Sequence, residues 1–461
     1  MANGTLPAYL VTAQPNPTTN RVPWYKSTAQ TYAGIFLWIA FYDQLAGTSA
    51  GPGALGMAGL GGCILGLIAA GLLSHALFYL VPGMLGMKTG LPLYIVGTST
   101  FGTKGGYFLP GIFMGLLQIG WYSVATFYAT KLVLGGLGLG RFDSTLFGPG
   151  DHSFSIVFVA LAVGWGYLFA FFGGLGINMV ARLSTYFPIV PILLLLVAGV
   201  AALGHAGNYQ PTSTGETLPG ILLIIQMVIG FFATAGACGA DFCSSNRDAR
   251  DVRMGGLVGV AFSILFAGGL GVLAVAGAHG KMPDFKSYAF GDSLNVLFGE
   301  YGRLWMILFA IGSMAPASFC SFIIGNSLST MLAKPRARVK ITMAGATIGI
   351  VLAALGLAGN LAAFFGLIGA SFGPVIGAMI ADYLLSGRKW AGPREGVSVP
   401  GYAAWLLGFA VGVLNHPWIG VLPGWHPTSI YSLIVGFVVY AVLAKAGLEG
   451  KPVALPSAKQ G

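Results

Sequence analysis

Apolar residues run in long blocks along most of the chain, separated by short polar connections. Blocks of about 18 or more apolar residues are long enough, as α-helices, to cross the hydrocarbon core of a bilayer. Twelve can be marked off: 31–55, 57–81, 107–134, 154–174, 183–204, 219–240, 254–279, 304–331, 340–358, 360–386, 398–418 and 427–446. They are numbered helices 1 to 12 in that order. The pattern predicts a single all-α membrane domain over 31–446. A polar, unstructured segment (1–30) precedes it and a short tail (447–461) follows. The first 27 residues are polar and contain several prolines with no apolar h-region, so no cleavable signal is expected.

Composition agrees with the pattern. Charged residues make up 8% and hydrophobic residues 56%, against roughly 25% charged in soluble domains. So few charges could not cover a soluble surface of this size. The 73 glycines fit as well, because small residues let membrane helices approach closely. The net charge of +10 is explained by the loops and not by a nucleic-acid partner. With both ends of the chain on the cytoplasmic side, eighteen Lys and Arg residues fall in inner loops and tails and five in outer ones. That is the positive-inside bias, and a missed helix would scramble it. Cys63, Cys238, Cys243 and Cys320 lie in or beside apolar blocks, lack zinc-ligand spacing and read as reduced thiols.

The acids sort into loops, tails and helix ends, with Asp43 the exception. A carboxylate at membrane depth is a functional candidate by default; the competing reading is a packing carboxylate bonded to backbone. Directly after Asp43 comes "AGTSAGPGALG", which predicts an interruption of helix 1. Helix 6 has a similar texture in "GFFATAGACGAD". Unwound backbone is tolerated at membrane depth only where it is buried or lines a cavity. Paired breaks at corresponding places in two halves point to a transporter site. Helices 1 and 6 each begin a set of five. The expectation is a five-plus-five inverted repeat (about 31–204 and about 219–386) followed by helices 11 and 12 (398–446).

Gln118 and Trp121 lie three apart on one face of helix 3. Phe231 and Phe232 fall at the expected break in helix 6, and Ser321 and Asn326 on helix 8. Rings above and below with an amide at the edge would suit a flat heterocycle; equally, Trp121 could be packing and Gln118 an interhelical bond.

Three stretches resemble the nucleobase–cation symporters, most closely the bacterial cytosine permeases. "GMKTGLPLYIVGTSTFGTKGGYFLPGIFMGLLQIGW" (86–121) is similar to their helix 2–3 loop and helix 3. "GFFATAGACGADF" (230–242) resembles their broken helix 6, and "GPVIGAMIADYLLSGRKW" (373–390) the end of helix 10. The resemblance implies cation-coupled import of a nucleobase or related small heterocycle by alternating access, with sodium or protons as coupling ion and no cofactor. It implies that Gln118 and Trp121 bond and stack on the substrate and that Phe232 is the opposite stacking face. Gly230 and Phe231 would offer backbone groups, and Asn326 would read the ring edge. It places a sodium ion between the Trp38 and Phe41 carbonyls and helix 8 groups at Ala317, Cys320 and Ser321. Cys320 stands where the family has a hydroxyl, and a thiol is a poor ligand for a hard cation. Asp43 aligns where cytosine permeases carry a small polar residue near the substrate. It could bind a donor-rich ring edge or carry a proton.

No Ser–His–Asp arrangement, Walker loop or metal cluster is evident, and "GLGLGR" (136–141) lacks a strand–helix context. The expected protein is a multi-pass transporter of the cell membrane. Its partners are a small heterocycle and the lipid bilayer; an enzyme, a nucleic-acid binder or an obligate protein partner is not expected. The alternatives are a transporter of the same fold for another ligand (a thiamine-precursor pyrimidine, an amino acid or another cation), or a non-transporting sensor or channel.

Overall fold

The structure, a computed structural model, describes residues 6–148, 152–213 and 215–455. Among them, ten helices are long and apolar enough to cross a membrane, and these correspond to helices 2 to 10 and helix 12. Helix 1 is broken into Thr28–Phe36 and Ile39–Tyr42. Helix 11 is the shorter apolar helix Val399–Gly412. Each remaining block becomes one helical rod: helix 2 is Ala54–Thr89, helix 3 Tyr107–Gly136, helix 4 Ile156–Gly174, helix 5 Arg182–Ala206 and helix 6 Thr217–Ala237. Helix 7 is Ala249–Lys281, helix 8 joins Gly302–Gly312 to Met314–Met331, helix 9 is Arg338–Ala354, helix 10 Leu361–Leu385 and helix 12 Thr428–Lys445.

The break in helix 1 is not where glycine pointed. It falls at Leu37 and Trp38, Trp38 taking an extended backbone (φ −81°, ψ 128°). The glycine-rich run after Asp43 instead turns the chain between helices 1 and 2. Gly47–Thr48 and Gly51–Pro52 pair as a two-stranded antiparallel turn. Gly47 has φ +156°, and a Cβ there would meet the Tyr288 side chain at 2.7 Å. Helix 1 is therefore shorter than the 31–55 block predicts. In helix 6 the interruption falls at Cys238, before the short continuation Gly239–Cys243. It is slight, since the Cys238 N–H still reaches the Thr234 carbonyl at 3.0 Å.

Counterpart helices of the two predicted repeats pack on one another: helix 2 on 7, helix 3 on 8 and helix 4 on 9. Helices 2 and 7 each contain one π-helical stretch, Ser74–Tyr79 and Leu257–Phe262, and these two stretches touch. Gly71 lets helix 2 lie directly on helix 7, its missing Cβ facing the Ala261 carbonyl at 2.8 Å. Helix 10 packs against helices 6, 11 and 12.

The chain before helix 1 is ordered where it is described, contrary to the expectation of an unstructured segment. The Tyr9 hydroxyl donates to the Thr103 carbonyl (2.6 Å), and Arg21 reaches the Met87 carbonyl (2.6 Å). The Val22 N–H bonds to the Ser245 carbonyl (2.8 Å). These contacts tie residues 6–27 across the loops following helices 2 and 6.

The segment after helix 12 is tied down as well, through a buried ionic cluster. Arg394, 5% exposed, donates to Asp382 at 2.6 Å and Tyr440 at 2.9 Å, to the Ser99 carbonyl, and to Glu449 at 3.0 Å. Ser99 and Thr100 complete the Asp382 carboxylate at 2.6 and 3.0 Å. One side chain thus joins helix 10, helix 12, the terminal segment and the helix 2–3 loop.

Candidate functional site

A cavity of about 80 Å³ lies between helices 1, 3, 5, 6 and 8. Its walls are mostly apolar with a few polar groups, the usual make-up of a small-molecule site. The break in helix 1 supplies Trp38, helix 3 supplies Gln118 and Trp121, and helix 6 supplies Phe231, Thr234 and Cys238. Helix 8 adds Ala315, Pro316, Phe319 and Cys320. The rings form one aromatic wall. Trp121 meets Phe231 edge-on at 5.0 Å and Trp38 at 5.7 Å, and it also packs on Phe364 (5.0 Å) and Phe365 (5.6 Å) of helix 10. The Trp121 indole N–H donates to the Thr234 hydroxyl at 3.0 Å, which fixes the ring's orientation. The Gln118 amide nitrogen faces the Met114 sulfur at 3.6 Å, a weak acceptor that leaves the amide's donors for a stronger one.

The structure divides the sequence-predicted residues among several places. Gln118, Trp121, Phe231, Cys320 and the Trp38 side chain share the cavity. Phe232 does not line it: fully buried, it stacks on Phe36 at 5.8 Å and lies against Tyr32 at 5.7 Å. Adjacent residues on a helix point about 100° apart, so only one of the two phenylalanines can face the cavity. Both precede the interruption at Cys238 and sit in the continuous part of helix 6. Gly230 packs against helix 10, where a Cβ would meet the Phe365 carbonyl at 2.5 Å. We therefore expect Gly230→Val to destabilise the protein by about 1–3 kcal/mol through overpacking, measured as a lower thermal unfolding midpoint in detergent. An unchanged midpoint would show that helices 6 and 10 can part at this point without cost.

Asn326 lies in a smaller adjoining cavity with Tyr94, Asp241 and Ser327, which shares Cys238, Phe242 and Phe319 with the first. Asp43 is elsewhere. It ends the second half of helix 1, is 8% exposed, and accepts from the Gly291 N–H (3.2 Å) and the Gln44 amide (3.3 Å). Gly291 opens the short helix Phe290–Phe298, so the carboxylate joins helix 1 to that helix. It lines a second cavity of about 760 Å³ together with Tyr128, Lys131, Asp143, Asp292 and Asn360.

Several of the residues expected to bind sodium have other partners in the structure. The Ser321 hydroxyl is turned to helix 4, bonding the Phe169 carbonyl at 3.2 Å as well as its own helix at Ser318 (2.9 Å). Cys320 presents a thiol to the cavity, and Ala317 is fully buried. The Trp38 carbonyl already accepts from the Phe41 N–H at 2.9 Å. Phe41 packs between Phe36 (5.1 Å) and Phe231 (5.0 Å). Of the helix 8 groups, Ala317 has no side-chain donor atom and Cys320 offers sulfur, whereas a hard cation prefers oxygen.

Sequence reasoning missed Thr234 as the anchor of Trp121, although its spacing from Phe231 places both on one helix face. Phe364 and Phe365 carried no signal in the sequence.

Residues 22–436 match the family described as permeases for cytosine/purines, uracil, thiamine and allantoin. The cytosine permease of Escherichia coli K12 is 23% identical over 384 residues, covering 78% of each chain. Among solved structures, the inward-facing conformation of Mhp1 superposes with a TM-score of 0.68 at 14% identity, covering 97% of this chain and 96% of that one. Mhp1, a nucleobase-cation-symport-1 family transporter, in a closed conformation with bromovinylhydantoin bound gives 0.66 at 16% identity, covering 94% and 95%.

Proposed function

The chain belongs to the family of permeases for cytosine/purines, uracil, thiamine and allantoin, and from that premise we propose that it imports a nucleobase or related small heterocycle by cation-coupled alternating access. It is a multi-pass membrane protein and a nucleobase-type secondary transporter. The observation that carries the site reading is the aromatic cavity at the break of helix 1, lined by Trp38, Trp121 and Phe231 together with Gln118. In this reading Trp121 stacks on the ring and Gln118 bonds its edge. Phe231, edge-on to Trp121, lines the cavity in place of Phe232, and Asn326 acts from the adjoining cavity. Both ends of the chain lie in the cytoplasm, in keeping with the excess of basic residues on that side. Uptake of radiolabelled cytosine by cells expressing the protein, competed by purines, uracil and allantoin, tests the substrate class. Saturable uptake reduced by at least one of these rings is the expected result. No uptake of cytosine and no binding of any of the rings would contradict the reading.

The poor fit of the helix 8 groups to sodium favours a proton as the coupling ion, with Asp43 as its carrier at the larger cavity. Asp43→Asn keeps an acceptor for the Gly291 N–H but cannot exchange a proton. The expected outcome is loss of uptake driven by a pH gradient, with exchange of substrate across the membrane retained. Parental pH-driven accumulation by the variant would make Asp43 a packing carboxylate.

A further inference from the structure

The basic residues of the inner side are unevenly balanced by acids. Arg247, Arg250 and Arg253 alternate with Asp248 and Asp251, and Arg388, Lys389 and Arg394 lie between Asp382 and Glu395 in the chain. The stretch joining helix 8 to helix 9 differs. Lys334, Arg336, Arg338 and Lys340 fall within seven residues, and the chain holds no acid between Glu300 and Asp382. Lys334, Arg336 and Lys340 are exposed. Among the described residues, ion pairs are made by Lys131, Arg247 and Arg394, and by none of these four.

Arg338 is held in place. Its guanidinium donates to the Gly174 carbonyl at 2.9 Å and lies over the Phe322 ring at 5.7 Å. Gly174 ends helix 4, where the last carbonyls lack partners within the helix, so this bond ties helix 4 to the start of helix 9. Arg338 and Lys340 also open helix 9, whose first turn has no acidic residue and no side-chain cap. Cations are unfavourable at the positive end of a helix, and an anion placed beside them relieves that repulsion.

Helices 4 and 9 pack side by side and turn apolar side chains outward next to these cations. Phe171 and Leu175 at the end of helix 4 and Val339 and Ile348 on helix 9 are each about half exposed. The positive-inside bias accounts for basic residues on this side. It requires neither the lack of acids nor an apolar face adjoining the charge. A cationic cluster above such a face matches a molecule with a negative head and apolar tails.

We propose that the phosphate of an anionic phospholipid in the inner leaflet docks on Lys334, Arg336 and Lys340. Arg338 fixes the loop against helix 4, and the acyl chains lie along helices 4 and 9. The site is separate from the transport cavity and rests only on the orientation with both chain ends in the cytoplasm.

The test is native mass spectrometry of the purified full chain, delipidated in detergent and titrated with phosphatidylglycerol, phosphatidylcholine or inorganic phosphate. Phosphatidylglycerol binds about tenfold more tightly than phosphatidylcholine, and an excess of inorganic phosphate leaves it bound. Arg336→Gln combined with Lys340→Gln weakens phosphatidylglycerol binding about tenfold, in keeping with the contribution of basic residues at an anionic surface. The same pair leaves phosphatidylcholine binding unchanged. Lys445→Gln combined with Lys451→Gln, at another inner position, changes phosphatidylglycerol binding less than about twofold, since neither residue belongs to the cluster. Lys334→Gln with Arg336→Gln serves if the first pair does not fold. Equal affinity for the two lipids overturns the proposal, as does parental phosphatidylglycerol binding by the cluster variant. An equal loss in the Lys445 and Lys451 variant overturns the location. Displacement of the lipid by inorganic phosphate makes the cluster a site for free anions and overturns the lipid assignment.

Discussion

Trp121→Ala lowers the affinity of the purified protein for its heterocyclic substrate by tenfold or more. Loss of an aromatic stacking face costs about 1–3 kcal/mol, and tenfold corresponds to roughly 1.4 kcal/mol. Two further losses add to it in this protein. The Thr234 hydroxyl loses the indole N–H that it accepts at 3.0 Å. The rings of Phe231, Phe364 and Phe365 lose the surface they pack on. Trp121→Phe restores a ring but not the bond to Thr234, so it recovers part of the affinity. Titration calorimetry with the best-binding nucleobase reads both variants. An alanine variant that binds as well as the parent would remove Trp121 from the substrate site.

The second large effect concerns stability. Arg394→Ala destabilises the protein by about 3–5 kcal/mol, the usual result of leaving one member of a buried ion pair uncompensated. In the parent the guanidinium meets Asp382 at 2.6 Å, Tyr440 at 2.9 Å and Glu449 at 3.0 Å. Without it, the side-chain partners left to Asp382 among the described residues are the hydroxyls of Ser99, Thr100 and, at 3.5 Å, Ser386. Adding Asp382→Asn to Arg394→Ala removes the stranded charge and returns part of the loss. Thermal unfolding in detergent, followed with the yield of monodisperse protein, reports the change. A single variant as stable as the parent would mean that water reaches the cluster and the pair is not truly buried.

Much of the architecture is legible in the order of residues because a bilayer imposes it. Apolar blocks must become helices, and their length fixes what can span. Ten of the twelve predicted blocks correspond to helices long and apolar enough to cross. The break in helix 1 shows where that legibility stops. Glycine after Asp43 marked a turn, whereas the break itself lies in "IFLWIA", a stretch without glycine or proline. It accompanies Trp38 packing on Trp121 and Phe231, contacts made by helices 3 and 6. Such tertiary contacts leave no local mark.

The same reason explains the exchange of Phe231 for Phe232. Helix 6 is apolar and largely buried around its circumference, so its hydrophobic pattern has no phase to say which side meets the cavity. Gln118 and Trp121 were readable because an amide and an indole stand out on one face of an apolar helix. Ser321 misled for a related reason: a hydroxyl one position along a helix can serve a different neighbour, and here it serves helix 4. The Arg394 cluster was invisible because its members come from five separate segments, brought together by the fold alone.

Transport itself is tested most directly in proteoliposomes that contain the purified protein and radiolabelled cytosine or uracil, with sodium and pH gradients imposed separately. The expected result is accumulation above the external concentration when the outside is acidic, with little response to a sodium gradient alone. Accumulation driven by sodium at constant pH would contradict the reading of helix 8. Equilibration without accumulation under every gradient would contradict coupled transport.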